Sequence, residues 1–176
     1  MQVDKVSEGY RQLGIVLDGD KHIMILAYID ASHASHDDCK SHTGVVITMG
    51  KGPVYIKSTS QKINTKSSTE SELVALSDSI TQVIWARNFL LQQGYKIQTA
   101  KVYQDNKSTM SLVKNGKSNS ERTKHIATRF YFVKDRVEAG EIQIEYMSTE
   151  NMIADVMTKP LNGAAFERMR SLLLNM

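Results

Sequence analysis

Short apolar runs and alternating positions dominate the first third of the chain. Residues 13–17 (LGIVL) and 23–29 (IMILAYI) are two such runs. Between them, Asp18-Gly19-Asp20-Lys21 holds the Asp-Gly pair that favours a hairpin, because glycine accepts the positive φ of a tight turn. Residues 43–49 (TGVVITM) and 54–57 (VYIK) flank Gly50-Lys51-Gly52-Pro53, a second hairpin signal. These runs predict three strands in an antiparallel meander. From residue 67 the period changes. Leu73, Leu76, Ile80, Val83, Ile84 and Leu91 recur at three-to-four spacing, which predicts a helix over 67–93 with Ser67 as its N-cap and Gly94 at C′.

Downstream, the pattern predicts a strand at 102–104, a short helix over 106–114 and a helix over 124–139 stopped by Gly140. A further strand follows, in which Ile142, Ile144 and Tyr146 alternate with Gln143 and Glu145. A last helix over 164–175 is expected to bury Phe166, Met169, Leu172 and Leu173. Three hairpin strands followed by helix, strand, helices, strand and helix describe an α/β fold, a mixed sheet with helices on its faces. Residues 1–12 carry no such pattern and read as the end of a connection to a preceding domain, leaving 13–176 as one domain.

Size and composition narrow the class. With 176 residues the chain holds one full core and not two. Apolar residues at 41% and charged ones at 23% are the balance of a globular protein. The longest apolar stretch, 23–29, is far short of the roughly 20 residues of a bilayer crossing. Cys39 stands alone, so neither an internal disulfide nor a cysteine zinc site can form, and a reducing compartment fits. Residues 50–66 carry four lysines and no acid, and residues 114–136 carry seven basic residues against Glu121 and Asp135. These two segments hold a net charge of +9 in a chain whose total is +3, so cationic surface is separated from an acidic remainder. A polyanion, nucleic acid first among them, is the partner such a surface fits.

The acidic remainder holds the candidate chemistry. Asp30 closes the run 23–29 and Asp105 closes the strand before it, so neighbouring strands can present carboxylates at one edge; Glu72 and Asp155 lie near helix starts. Each has a plain structural use, as a turn residue or a cap. Their accumulation points instead to a metal. Carboxylates a few ångströms apart raise one another's pKa, and magnesium, a hard ion that prefers oxygen ligands, relieves that repulsion. Two glutamates compete at the head of the long helix. Glu70 falls at N3, where it reaches back to the N-cap amide in a capping box, which leaves Glu72 as the favoured ligand.

The strings that carry these acids are Tyr28-Ile29-Asp30-Ala31-Ser32, Thr69-Glu70-Ser71-Glu72-Leu73-Val74-Ala75-Leu76, Tyr103-Gln104-Asp105-Asn106-Lys107-Ser108 and Ala154-Asp155-Val156-Met157-Thr158-Lys159-Pro160-Leu161. Together with residues 60–70 (SQKINTKSSTE) and 122–132 (RTKHIATRFYF), and in this order, they make the chain from Leu13 onward resemble the ribonuclease H domain of copia-type LTR retrotransposon polyproteins. The resemblance implies an RNase H-like fold: a five-stranded mixed sheet, three antiparallel strands then two parallel, with helices on both faces. It implies endonucleolytic cleavage of the RNA strand of an RNA–DNA hybrid during reverse transcription, giving 5′-phosphate and 3′-hydroxyl ends. Two Mg2+ ions, or Mn2+ in their place, would be held by Asp30, Glu72, Asp105 and Asp155, with Asp30 bridging both, Glu72 and Asp105 on one and Asp155 on the other. It also implies an upstream reverse transcriptase domain as partner, no membrane partner, and action in a cytoplasmic particle and the nucleus.

Contacts to the hybrid are expected from Lys62, Lys66, Ser67, Ser68, Asn106, Ser108, Lys117, Arg122, Lys124, His125 and Arg129, through phosphates and the 2′-hydroxyl that distinguishes RNA. Ser67 and Ser68 serve equally as helix caps. One departure stands out. Cellular RNases H carry a histidine in the loop before the last metal-binding aspartate, whereas Ser148-Thr149-Glu150-Asn151 has none. Two alternatives are a transposase or integrase core and a noncatalytic nucleic-acid-binding or connection module. The first places its glutamate on a later helix than the one directly after three strands, and the second has no need of all four acids.

Overall fold

The computed structural model describes residues 15, 23–115 and 124–174, apart from the side chains of residues 115, 124 and 125. The expected strand at 13–17, its turn and the segment 1–12 lie outside the described residues, Ile15 excepted, as does Gly116. Five strands form one mixed sheet: β1 (Leu26–Ser32), β2 (His42–Thr48), β3 (Pro53–Ser60), β4 (Ala100–Gln104) and β5 (Ile142–Tyr146), in the order β3-β2-β1-β4-β5. β1 pairs antiparallel with β2, and β2 with β3; β4 runs parallel to both β1 and β5. The expected meander is thus β1 to β3.

Side-chain alternation gives the sheet two different faces. Ala27, Ile29, Val45 and Ile47 point into the larger core, covered by α1 (Ser68–Gln92) with α2 (Lys107–Asn115) and α3 (Lys124–Glu138). Val46 and Tyr28 point to the other face, where Ile153, Val156 and Met157 of a 3-10 turn (Ile153–Met157) and Met169 and Leu173 of α4 (Gly163–Leu174) cover them. Among the described residues no helix is long and apolar enough to cross a membrane.

α1 begins and ends as its sequence requires. Ser67 is extended at φ −155° and its hydroxyl accepts from the Glu70 amide, while Glu70 Oε2 accepts from the Lys66 amide at 2.7 Å, one residue earlier than a standard capping box. At the far end Gly94 adopts φ +87°, and its amide and that of Tyr95 donate to Leu91 and Leu90 carbonyls, a Schellman cap that needs glycine. Residues 71–77 are all buried, because this end of α1 is wedged between the sheet and the other helices. Two expectations are corrected. Leu91 is exposed and Leu90 is the buried residue of the last turn; in α4, Leu172 is likewise exposed while Met169 carries the burial. In both cases a helix end leaves the core, and periodicity alone cannot show where that happens.

Candidate active site

The parallel pairing of β1 and β4 places the first two acids. Tyr28 is in register with Tyr103, their rings 5.0 Å apart, so two residues further on Asp30 and Asp105 come side by side. Asp105 follows the last residue of β4, whereas Asp30 lies inside β1, paired with Gly44 of β2, and not at the strand's end as expected. The carboxylates gather at the carboxyl ends of parallel strands, where open α/β sheets present their sites.

Glu72 completes the group from the first turns of α1. Asp30, Glu72 and Asp105 each offer an oxygen, and these atoms lie within 4.8 Å of one another. Glu72 is 4% exposed. Its burial, together with the charges of Asp30 and Asp105, pushes its carboxyl up to about 9, although hydrogen bonds from Gln104 and the Ala31 backbone oppose the shift. Gln104 is fully buried and ties the site together: its amide donates to Glu72 Oε2 at 3.2 Å, and its carbonyl oxygen accepts from the Asp105 and Asn106 amides. Glu70, by contrast, is spent on the cap.

Asp155 arrives from the opposite face, on the 3-10 turn Ile153–Met157, where it caps no helix. It is 5% exposed, and burial and the charge of Asp30 raise its carboxyl. The turn can lie this close because β2 has glycine there. A Cβ on Gly44 would stand 2.7 Å from the Ala154 carbonyl oxygen and from Thr158 Cγ2. Thr158 donates its hydroxyl to Asp30 Oδ2, and the Lys159 ammonium touches Asp155 Oδ1 at 3.0 Å and Asp30 Oδ2 at 3.5 Å. Asp30, Glu72 and Asp105 therefore form one cluster, and the Lys159 ammonium bridges the fourth expected acid, Asp155, to Asp30. Oxygen donors in this number, so close and so reluctant to ionise together, fit divalent cations of the magnesium type.

The expected nucleic-acid residues fall into three groups. Ser67 is occupied as the cap, whereas Ser68 is exposed and engages the Ser71 hydroxyl only through its backbone carbonyl; the Asn106 side chain accepts from the Thr109 amide, and Ser108 is exposed on α2. Lys66 is exposed beside the cap, while Lys62 and Arg129 line a polar cleft of about 410 Å³ between β3 and α1, with Arg129 ion-paired to Asp78. Lys117 and Arg122 lie outside the described residues, as do the side chains of Lys124 and His125 at the start of α3. Four site residues had no assigned role from sequence: Gln104, Thr149, Thr158 and Lys159. Thr149, in the loop that lacks the histidine, donates to Asp105 Oδ2 at 2.8 Å. Of the histidines after Asp30, His33 faces the Ser41 and Thr65 hydroxyls and His36 pairs with His42 at 2.9 Å.

No protein-family model matches the chain. It is 32% identical over 160 residues, 90% of its length, to the retrovirus-related Pol polyprotein from transposon RE1 of Arabidopsis thaliana. It is 31% identical over 156 residues, 88% of its length, to that from transposon TNT 1-94 of Nicotiana tabacum. It spans only 11% and 12% of those two polyproteins. Among solved structures, LC11-RNase H1 isolated from compost aligns with 76% of this chain and 91% of its own at a TM-score of 0.56 and 17% identity. LC11-RNase H1 has also been solved in complex with an RNA/DNA hybrid. RNase H1 from Halobacterium salinarum aligns with 76% of this chain and 93% of its own at a TM-score of 0.53 and 15% identity. By descent and by fold, this chain belongs to the copia-type retrotransposon Pol polyproteins, as a segment with the ribonuclease H fold.

Proposed function

We propose that this chain is an endoribonuclease that cleaves the RNA strand of RNA–DNA hybrids during retrotransposon reverse transcription. The observation that carries the reading is the grouping of Asp30, Glu72 and Asp105 oxygens within 4.8 Å at the carboxyl ends of β1 and β4, with Asp155 brought alongside. Asp30 stands between the two halves of the cluster and would hold both ions, Glu72 and Asp105 one of them, and Asp155 the other. Bound divalent ions supply the charge that activates water and stabilises the departing 3′ oxygen of an in-line displacement. The chain's own part is orientation. Gln104 fixes Glu72, Thr149 fixes Asp105 and Thr158 fixes Asp30, so that the carboxylates are set before substrate arrives. Products carry 5′ phosphates and 3′ hydroxyls.

The substrate reading draws on the hybrid bound by a protein of the same fold and on the polyprotein setting of the relatives, which also supports an upstream reverse transcriptase as partner and a retrotransposon particle as the place of action. Lys66, beside the head of α1, and Lys62 and Arg129, along the cleft between β3 and the middle of α1, are the described candidates for phosphate contacts. The test is substrate choice. With Mg2+, labelled RNA paired to DNA should be cut, while the same RNA paired to RNA, and DNA paired to DNA, should be left intact. Cutting of DNA duplex would favour a transposase-like core, and no cutting of any duplex would favour a noncatalytic module.

A further inference from the structure

The Lys159 ammonium reaches two of the four acids at once, Asp155 Oδ1 at 3.0 Å and Asp30 Oδ2 at 3.5 Å. It is tied to the same turn that carries Asp155: four residues on, its amide donates to the Asp155 carbonyl at 2.9 Å. Backbone geometry thus delivers an acid and its counter-charge together. Asp30 and Asp155 are almost fully buried, yet the Lys159 side chain is 37% exposed. Its flexible four-carbon stem lets the charge swing to solvent without unpacking the core. The ammonium lies at the Asp155 end of the cluster, and the group within 4.8 Å, Asp30, Glu72 and Asp105, does not include Asp155. One end of the centre is neutralised by the protein itself. Among the described residues, no ammonium or guanidinium group forms an ion pair with Glu72 or Asp105 at the other end.

We propose that Lys159 is a displaceable counter-cation, holding Asp30 and Asp155 together until a second divalent ion takes its place, so that ions load in order: first among Asp30, Glu72 and Asp105, then against Lys159. The inference rests on reading the four acids as a two-ion centre. A unit positive charge at hydrogen-bond distance from Asp155 and ion-pair distance from Asp30 both fills the space an ion would enter and repels it, and inside a partly buried site that repulsion is weakly screened. The second ion therefore binds far more weakly than the first.

The test is Mn2+ binding to the whole chain by calorimetry, without nucleic acid, in the wild type, Lys159→Met and Lys159→Arg. In the wild type the second ion should bind at least about thirtyfold more weakly than the first. Lys159→Met should tighten the second ion at least about tenfold and the first by less than about threefold, whereas Lys159→Arg keeps the charge and should leave the second ion weak. Unchanged second-ion affinity in Lys159→Met, or equal losses at both sites in both variants, would overturn the proposal and leave Lys159 a scaffold residue. The order is also readable without substitution: in a Mg2+ titration the Lys159 ε-carbon resonance should move with the second equivalent and not the first, and a signal indifferent to both would overturn it. If no ion binds any of the three proteins, the two-ion reading itself fails, and the inference with it.

Discussion

A carboxyl group that resists ionisation makes stability depend on pH with a definite sign. Burial and the neighbouring acids lift Glu72 to about 9 from an ordinary 4.5, so between those values the folded protein binds a proton that the unfolded chain does not. Stability from this source is fully present below the unfolded value and is lost as pH rises through the folded one, by at most about 1.4 kcal/mol per pH unit. Asp155, raised by burial and by Asp30, acts in the same sense. With chelator present, the melting temperature should fall from about pH 6 to about pH 9, and Glu72→Gln should flatten that fall; a profile parallel to the wild type would acquit Glu72. Mg2+ added at about pH 8 should raise the wild-type melting temperature, since a ligand that binds only the folded state stabilises it by linkage. Much of this was legible at the residue level. Asp30 and Asp105 end apolar runs, and capping logic separates Glu72 from Glu70. The roles of Gln104, Thr149 and Lys159 were not legible, because each depends on a partner from a distant segment that no local pattern announces.

At the level of elements, the site depends on how closely the Ile153–Met157 turn approaches β2. Gly44→Ala places a methyl 2.7 Å from a backbone carbonyl, which cannot yield as a flexible side chain would. Overpacking of this kind costs about 1–3 kcal/mol. Because the displaced turn carries Asp155, cleavage should drop further than the loss of folded protein accounts for; denaturant unfolding run beside activity per folded molecule separates the two. Activity falling only in step with stability would mean that the turn's position is not critical. At the other end of the site, Ser67→Ala should remove about 1 kcal/mol of cap stability from α1, read as a lower denaturant midpoint. The period change at residue 67, the cap and the C′ glycine made α1 legible to within a residue at each end. Where a helix end leaves the core was not, so Leu91 and Leu172 read as buried when they are exposed. Gly44 carried no signal beyond its place in a strand, since the turn it admits lies more than a hundred residues on.

For the molecule as a whole, element order identified the architecture, because three hairpin strands followed by alternating helices and strands leave few ways to cover both faces of one sheet. The convergence of four acids from β1, α1, the end of β4 and a 3-10 turn is a consequence of that topology, and only the quoted strings allowed it to be expected before the strands were paired. Charge separation has a consequence on the same scale. Affinity for hybrid should fall steeply between about 50 and about 200 mM salt as phosphate contacts are screened, and Lys62→Ala with Lys66→Ala should lower the slope as well as the affinity; a salt-independent affinity would place recognition elsewhere. The most direct measurement is cleavage of the labelled RNA strand of a hybrid by wild-type chain and by Asp30→Asn, each with Mg2+ and with chelator. The expected result is cutting by the wild type with Mg2+ alone, and a loss of orders of magnitude in a folded Asp30→Asn protein. Cutting that survives chelation, or an Asp30→Asn protein as active as the wild type, would contradict the account.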